Sequence, residues 1–167
     1  RTDGYLPEAM FNFLALIGWN PGTDQEIFSE AELIAAFDIA KTQRAGAAFN
    51  EEKLLWVNKQ HLLRQTPEQL LQYINKALPD STKALPQFSI ERLEKFAPKL
   101  IERIQVATDI KIAAEAGEYD FAFTTPQYDT ELLLWKNDTD VKEAIPRLEE
   151  AKKLLTEADF SSAENVK

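Results

Sequence analysis

Apolar positions three or four apart recur along nearly the whole chain, while strand-like alternation is almost absent, so the pattern predicts an all-α fold. The first helix is opened by Pro7 and stopped by Gly18. Met10, Phe11, Phe13, Leu14, Leu16 and Ile17 cover most of its circumference, which predicts a helix enclosed inside the domain. Ser29 and Glu32 have capping-box spacing ahead of Leu33, Ile34 and Phe37, and Asn50 can cap the stretch from Lys53 to Leu63. Thr66-Pro-Glu-Gln69 marks another start before Leu70, Leu71, Tyr73 and Ile74, and Ser89 opens one more. From Pro98, the stripe of Leu100, Ile101, Ile104, Ala107, Ile110 and Ala114 predicts one long helix stopping near Gly117. A helix is expected at 130–136, and Pro146 either starts or kinks one that ends near Ala158. The clearest breaks fall at 64–67 and at 79–86, where Asp80, Ser81 and Thr82 sit between two prolines.

Composition narrows this picture little: 167 residues suit one domain or two small ones, and 44% hydrophobic with 28% charged residues is that of a folded chain. The absence of cysteine excludes disulfides and thiolate metal sites and fits a reducing compartment. No apolar run is long enough to span a bilayer, and no basic stretch followed by an apolar one opens the chain. Charge matters more. The net value is −9, with 5 basic and 9 acidic side chains in residues 1–63 and 14 and 19 in residues 64–167. That argues against indiscriminate nucleic-acid binding; an RNA partner would require cations gathered on one face.

Catalytic patterns are missing. His61 is the only histidine, so neither a His-pair metal site nor a two-histidine nucleotide motif can be built. There is no Lys-x-Ser-Lys loop, glycine-rich phosphate cradle or Gly-x-Ser-x-Gly elbow. The carboxylate pairs Glu51 with Glu52 and Glu149 with Glu150 are adjacent on helices and point in different directions, as solvated surface does. No catalytic, cofactor-binding or metal-binding residue is assigned, and a complete small enzyme has no constellation to support it.

The stretch Gly4-Tyr-Leu-Pro-Glu-Ala-Met-Phe-Asn-Phe-Leu-Ala-Leu-Ile-Gly-Trp19-Asn-Pro-Gly22 followed by Gln25-Glu-Ile-Phe28 resembles the segment just past the active site of bacterial glutamyl-tRNA synthetases. Phe37-Asp-Ile-Ala-Lys41 and the run Ala48-Phe49-Asn-Glu-Glu-Lys53-Leu-Leu-Trp56-Val-Asn58 resemble that family's transition out of its stem-contact domain. Leu100-Ile-Glu-Arg103 and Tyr119-Asp-Phe-Ala-Phe123 with Tyr128 resemble the first half of its helical anticodon-binding region. The chain departs from the family at Arg44-Ala-Gly-Ala-Ala48, where a Ser-Pro-Ala turn is usual, and matches it weakly at 87–92 and 126–129.

The resemblance implies a C-terminal fragment of a class I aminoacyl-tRNA synthetase: a stem-contact domain at 1–63, then the proximal anticodon-binding helical domain at 64–167. It implies an enzyme that attaches glutamate to its tRNA with ATP and Mg, in the cytoplasm, as a monomer and without a membrane. ATP and glutamate would bind the catalytic domain, expected before Arg1, and this fragment alone would be inactive and hold no cofactor. Its partner would be glutamate-specific tRNA. Ser161 and Glu164 have capping-box spacing with only three residues after them, so the natural chain is expected to continue past Lys167.

The tRNA-binding candidates are Arg103, Lys41, Arg44, Lys59 and Asn58. Lys41 and Arg44 flank a glycine-containing loop and would hold phosphates of the tRNA inner corner, or else be solvated loop charges. Asn58 and Lys59 share a helix with Lys53 and His61; Leu55 and Trp56 of that helix are expected to pack inward, and His61 to be a surface or half-buried residue. Arg103 falls nearest the family's anticodon-reading arginine, whose planar fork can pair with two acceptors on an exposed base edge; the alternative is a helix ion pair or solvent. Tyr119, Phe121 and Phe123 alternate as an extended segment would and are read as core, not as base-stacking groups. A reading from another class is a stand-alone acidic helical module that binds a protein through an apolar groove.

Overall fold

The structure, a computed structural model, describes residues 4–43, 48–136 and 138–158. Nine α-helices are found among them: α1 (Pro7–Gly18), α2 (Glu30–Ala36), α3 (Glu51–Leu63), α4 (Pro67–Ala77), α5 (Asp80–Lys83), α6 (Ile90–Arg103), α7 (Ala107–Glu115), α8 (Asp120–Phe123) and α9 (Ala144–Glu157). No strand occurs among the described residues beyond an isolated antiparallel bridge between Trp19 and Thr42. The fold is all-α.

The starts are set by local chemistry. Ser29 and Glu32 close a reciprocal capping box at α2, as Thr66 and Gln69 do at α4. Asn50 accepts the Lys53 amide at 3.0 Å to begin α3, and Ser89 accepts the Arg92 amide at 3.1 Å to begin α6. Pro7 and Pro67 stand in first turns, where the missing amide hydrogen costs nothing.

The chain packs as two compact units, residues 1–125 and 126–167. In the first, Ala9 and Phe13 of α1 cluster with Leu54 and Val57 of α3 and with Ile27, and Trp19, Phe28 and Leu33 form a smaller cluster at α2. A larger core joins Leu62, Ile74, Leu78, Leu93, Leu100, Ile104, Ile110 and Phe123 from α3, α4, α6, α7 and α8. Helix α3 therefore serves two cores, Leu54 and Val57 in one and Leu62 in the other. In the second unit, Arg147 of α9 pairs with both carboxylate oxygens of Asp138, and this hydrogen bonding holds the carboxyl below its ordinary pKa.

Several expectations from the sequence are corrected. Helix α1 is not enclosed: Phe11 and Leu14 are 49% and 56% exposed, because the neighbours lie on the side that buries Ala9, Asn12 and Phe13 and partly covers Met10, Leu16 and Ile17. Pro98 does not open a helix but lies inside α6, and the apolar stripe running on to Ala114 is broken at 104–106. The stripe misleads because α6 and α7 turn their apolar residues into the same core, so the spacing survives the break. The helix expected at 130–136 is a single 3-10 turn, Thr130–Leu133, closed by Asp129 on the Glu131 amide. Residues 119–123 form the turn α8 instead of an extended segment, with Tyr119 and Phe123 buried and Phe121 exposed. On α3, Trp56 faces outward beneath the Lys53 ammonium, 4.8 Å from the ring centre, while His61 is buried. Ser161 and Glu164 lie outside the described residues.

Candidate nucleic-acid interface

Helix α6 has two sharply different sides. Leu93, Ala97, Leu100 and Ile101 are buried in the larger core. Arg92, Lys95, Lys99 and Arg103, at intervals of three, four and four residues, are all exposed. At 100° per residue these four fall within a strip about 80° wide, and at 1.5 Å rise per residue they succeed one another every 4.5–6 Å or so. Glu91 and Glu102 border the strip along one edge.

Lys95 pairs with Glu91 at 2.7 Å, holding that carboxyl below its ordinary pKa, and Lys99 lies 3.8 Å from Glu102. Both are exposed pairs that exchange readily for another anion. Arg92 donates to the Ala122 carbonyl at 3.2 Å. Arg103, exposed in the last turn, makes no hydrogen bond or ion pair with another described residue. Beside the strip lies Phe96, half-buried, with the exposed Phe121 ring set edgewise against it at 5.5 Å.

The end of α6 is built by side chains from α3. Lys59 Nζ donates to the carbonyls of Ile101 and Ile104, the latter at 2.9 Å. A cation at a helix C-terminus satisfies orphan carbonyls and opposes the negative end of the dipole. Burial holds the Lys59 ammonium below its ordinary pKa, against the opposing pull of Glu102 and Asp109. Asn58 is fully buried: Oδ1 accepts the Leu6 amide at 2.8 Å, and Nδ2 donates to the Gln105 carbonyl. Asp109 then accepts the amides of Gln105 at 2.7 Å and Val106 at 3.0 Å, starting α7. Nearby, Tyr73 Oη donates to the Gly4 carbonyl at 2.7 Å, and burial pushes its phenol up to about 12.

Of the candidates named from sequence, Arg103, Asn58 and Lys59 thus meet at one helix end, the first facing solvent and the other two turned inward. Lys41 ends the 3-10 turn Ile39–Lys41 and donates to the Pro21 carbonyl at 3.0 Å, away from that group in the fold. Arg44 lies outside the described residues. Sequence reasoning missed Arg92, Lys95 and Lys99, although their spacing relative to Arg103 was the available signal. Among the described residues no group of three or more His, Asp or Glu is placed to hold a metal, and no helix is long and apolar enough to cross a membrane.

Comparison with known proteins defines the class first. The family model described as tRNA synthetases class I (E and Q), catalytic domain, matches residues 1–56, which ends inside α3. The glutamate–tRNA ligase of Flavobacterium johnsoniae is 35% identical over 167 residues, 98% of this chain and 30% of that protein. Glutamate–tRNA ligase 1 of Acidithiobacillus ferrooxidans is 40% identical over 127 residues, 71% of this chain and 27% of its own length. A crystal structure of a glutamate tRNA ligase from Elizabethkingia meningosepticum, in complex with its amino acid, superposes with a TM-score of 0.62 at 30% identity, covering 90% of this chain and 33% of that one. The chain belongs to the glutamate–tRNA ligase family and spans about a third of the length of the relatives it matches.

Proposed function

We propose that this chain is the tRNA-contacting part of a glutamate–tRNA ligase, an enzyme that attaches glutamate to its tRNA using ATP and Mg in the cytoplasm. Residues 1–63 act as the stem-contact domain and residues 64–167 as the first part of the anticodon-binding domain. The α6 strip supports this reading most directly: in a chain of net charge −9, four exposed cations share one helix face, as a phosphate backbone requires. Arg92, Lys95 and Lys99 follow the backbone, and Arg103, whose guanidinium is uncommitted among the described residues, pairs with an anticodon base edge. Lys41 and Arg44 hold phosphates at the inner corner of the tRNA. Asn58 and Lys59, whose polar atoms are engaged at the end of α6, serve the RNA site from behind. ATP and glutamate bind the rest of the enzyme; this chain alone forms no adenylate. Its binding energy, realised far from the chemistry, goes into orienting the acceptor end.

The test is titration of the chain with purified glutamate tRNA and a noncognate tRNA, at low and moderate salt, beside Arg103→Ala. A preference for glutamate tRNA that the variant loses supports the reading. Equal binding of both RNAs, or none at low salt, refutes it and favours the acidic protein-binding module.

A further inference from the structure

The exposed Arg103 and the inward Lys59 occupy the same helix end, and that end is not self-supporting. The last carbonyls of α6 have no intrahelical partner, and Ile104 already turns to an extended backbone with φ −98° and ψ 151°. A glycine or a side chain within α6 commonly finishes such an end. Here the donor comes from α3, 42 and 45 residues earlier in the chain: Lys59 Nζ bonds the Ile101 and Ile104 carbonyls, which flank Glu102 and Arg103. Asn58, the neighbouring residue, fixes the Gln105 carbonyl and, with its other end, the Leu6 amide just before α1.

We infer that Lys59 is a positioning residue for Arg103: by clasping the carbonyls on both sides of it, Lys59 sets the last turn of α6 so that the guanidinium stands where an RNA base edge can be met. The clasp brackets Arg103 in sequence, so freeing it loosens the backbone that carries the guanidinium. An ammonium donating to two carbonyls makes charge-assisted bonds, about twice as strong as neutral ones, in a partly dehydrated setting. Asn58 ties the same turn to the segment before α1, so the arginine is referenced to the portion of the chain matching the catalytic-domain family model. A preformed turn also reduces the ordering cost of binding, since a rigid contact group loses less freedom.

The inference rests on the proposed RNA-reading role of Arg103, and the experiment separates the two. Affinity of the chain for glutamate tRNA is measured at low salt for wild type, Arg103→Ala, Lys59→Met and the double variant. Lys59→Met keeps the apolar stem and removes the donor. Positioning predicts that each single variant weakens binding by about the same factor, on the order of fivefold to tenfold for one charge-assisted contact. It also predicts that Lys59→Met has no further effect once Arg103 is absent, because the two act as one unit. Losses that multiply in the double variant mean that Lys59 acts on RNA independently, and they overturn the inference while leaving the reading of Arg103 intact. An unchanged Lys59→Met beside a weakened Arg103→Ala does the same. If Arg103→Ala itself binds normally, the reading fails and the inference with it. Should Lys59→Met lose its helical circular dichroism, Lys59→Gln, whose shorter and neutral side chain cannot make the charge-assisted clasp on both carbonyls, carries the same cycle.

Discussion

Replacing Asn12 with Ala should be among the most damaging single changes in the first unit. The side chain is fully buried on α1 and makes three bonds: Oδ1 accepts the Phe28 amide at 2.8 Å and faces His61 Nε2 at 3.0 Å, and Nδ2 donates to the Glu26 carbonyl at 3.0 Å. Because Oδ1 only accepts, the His61 ring carries its hydrogen on Nε2, a tautomer assigned from this network. In Asn12→Ala the Glu26 carbonyl, near the surface, can turn to water. The Phe28 amide and the His61 ring hydrogen cannot, and each unpartnered buried donor costs about 1–3 kcal/mol. The expected loss is therefore about 2–6 kcal/mol, a large share of the roughly 5–15 kcal/mol that keeps a domain folded. Urea unfolding followed by far-UV circular dichroism should show the midpoint fall with the slope unchanged. Asn12→Asp keeps the acceptor but loses the donor to Glu26, so its midpoint should fall between those of wild type and Asn12→Ala. A loss below about 1 kcal/mol for Asn12→Ala, or an Asn12→Asp no better than Asn12→Ala, would refute the argument that these donors depend on Oδ1.

Three further outcomes are expected. Burial, assisted by Arg64 and opposed by Glu8, holds the His61 pKa below its ordinary value. The unfolded chain therefore takes up this proton first as pH falls: the stabilisation from neutral His61 is complete above about pH 6.5 and is lost below it, down to the folded pKa. Urea midpoints should drop between pH 7.5 and 5.5 in wild type and less in His61→Gln; parallel profiles would exclude His61 as the cause. Gly4 has φ +78°, and a Cβ there would lie 2.4 Å from Ala107 Cβ, so Gly4→Ala should cost about 2–4 kcal/mol through strain and overlap, seen as a lowered melting temperature. Pro98 is exposed within α6, and Pro98→Ala restores an amide for the carbonyl four residues earlier; a gain of about 1–3 kcal/mol is expected in the same unfolding assay, and a loss would mean that the packing of α6 depends on the proline.

What the sequence determined is mostly what depends on near neighbours. Ser29 with Glu32, Asn50, Thr66 with Gln69 and Ser89 marked helix starts correctly, because a cap is a bond between residues two or three apart. The apolar periodicity gave the all-α class, and the motifs of residues 4–58 gave the family. Tertiary structure decided the rest. Whether Phe11 and Trp56 face solvent depends on which side of α1 and α3 finds a neighbour, and hydrophobicity alone does not encode that. The break between α6 and α7 was invisible because its cause is remote: Lys59 and Asn58 reach it from another helix, with only Asp109 acting locally. The same holds for the candidate interface. The cationic spacing of α6 was present in the sequence, but it became a surface only when Leu93, Ala97, Leu100 and Ile101 were seen to claim the other side of the helix. A side chain's chemistry is written at its own position; whether that chemistry is spent within the fold or offered to solvent is settled by contacts between residues far apart in the chain.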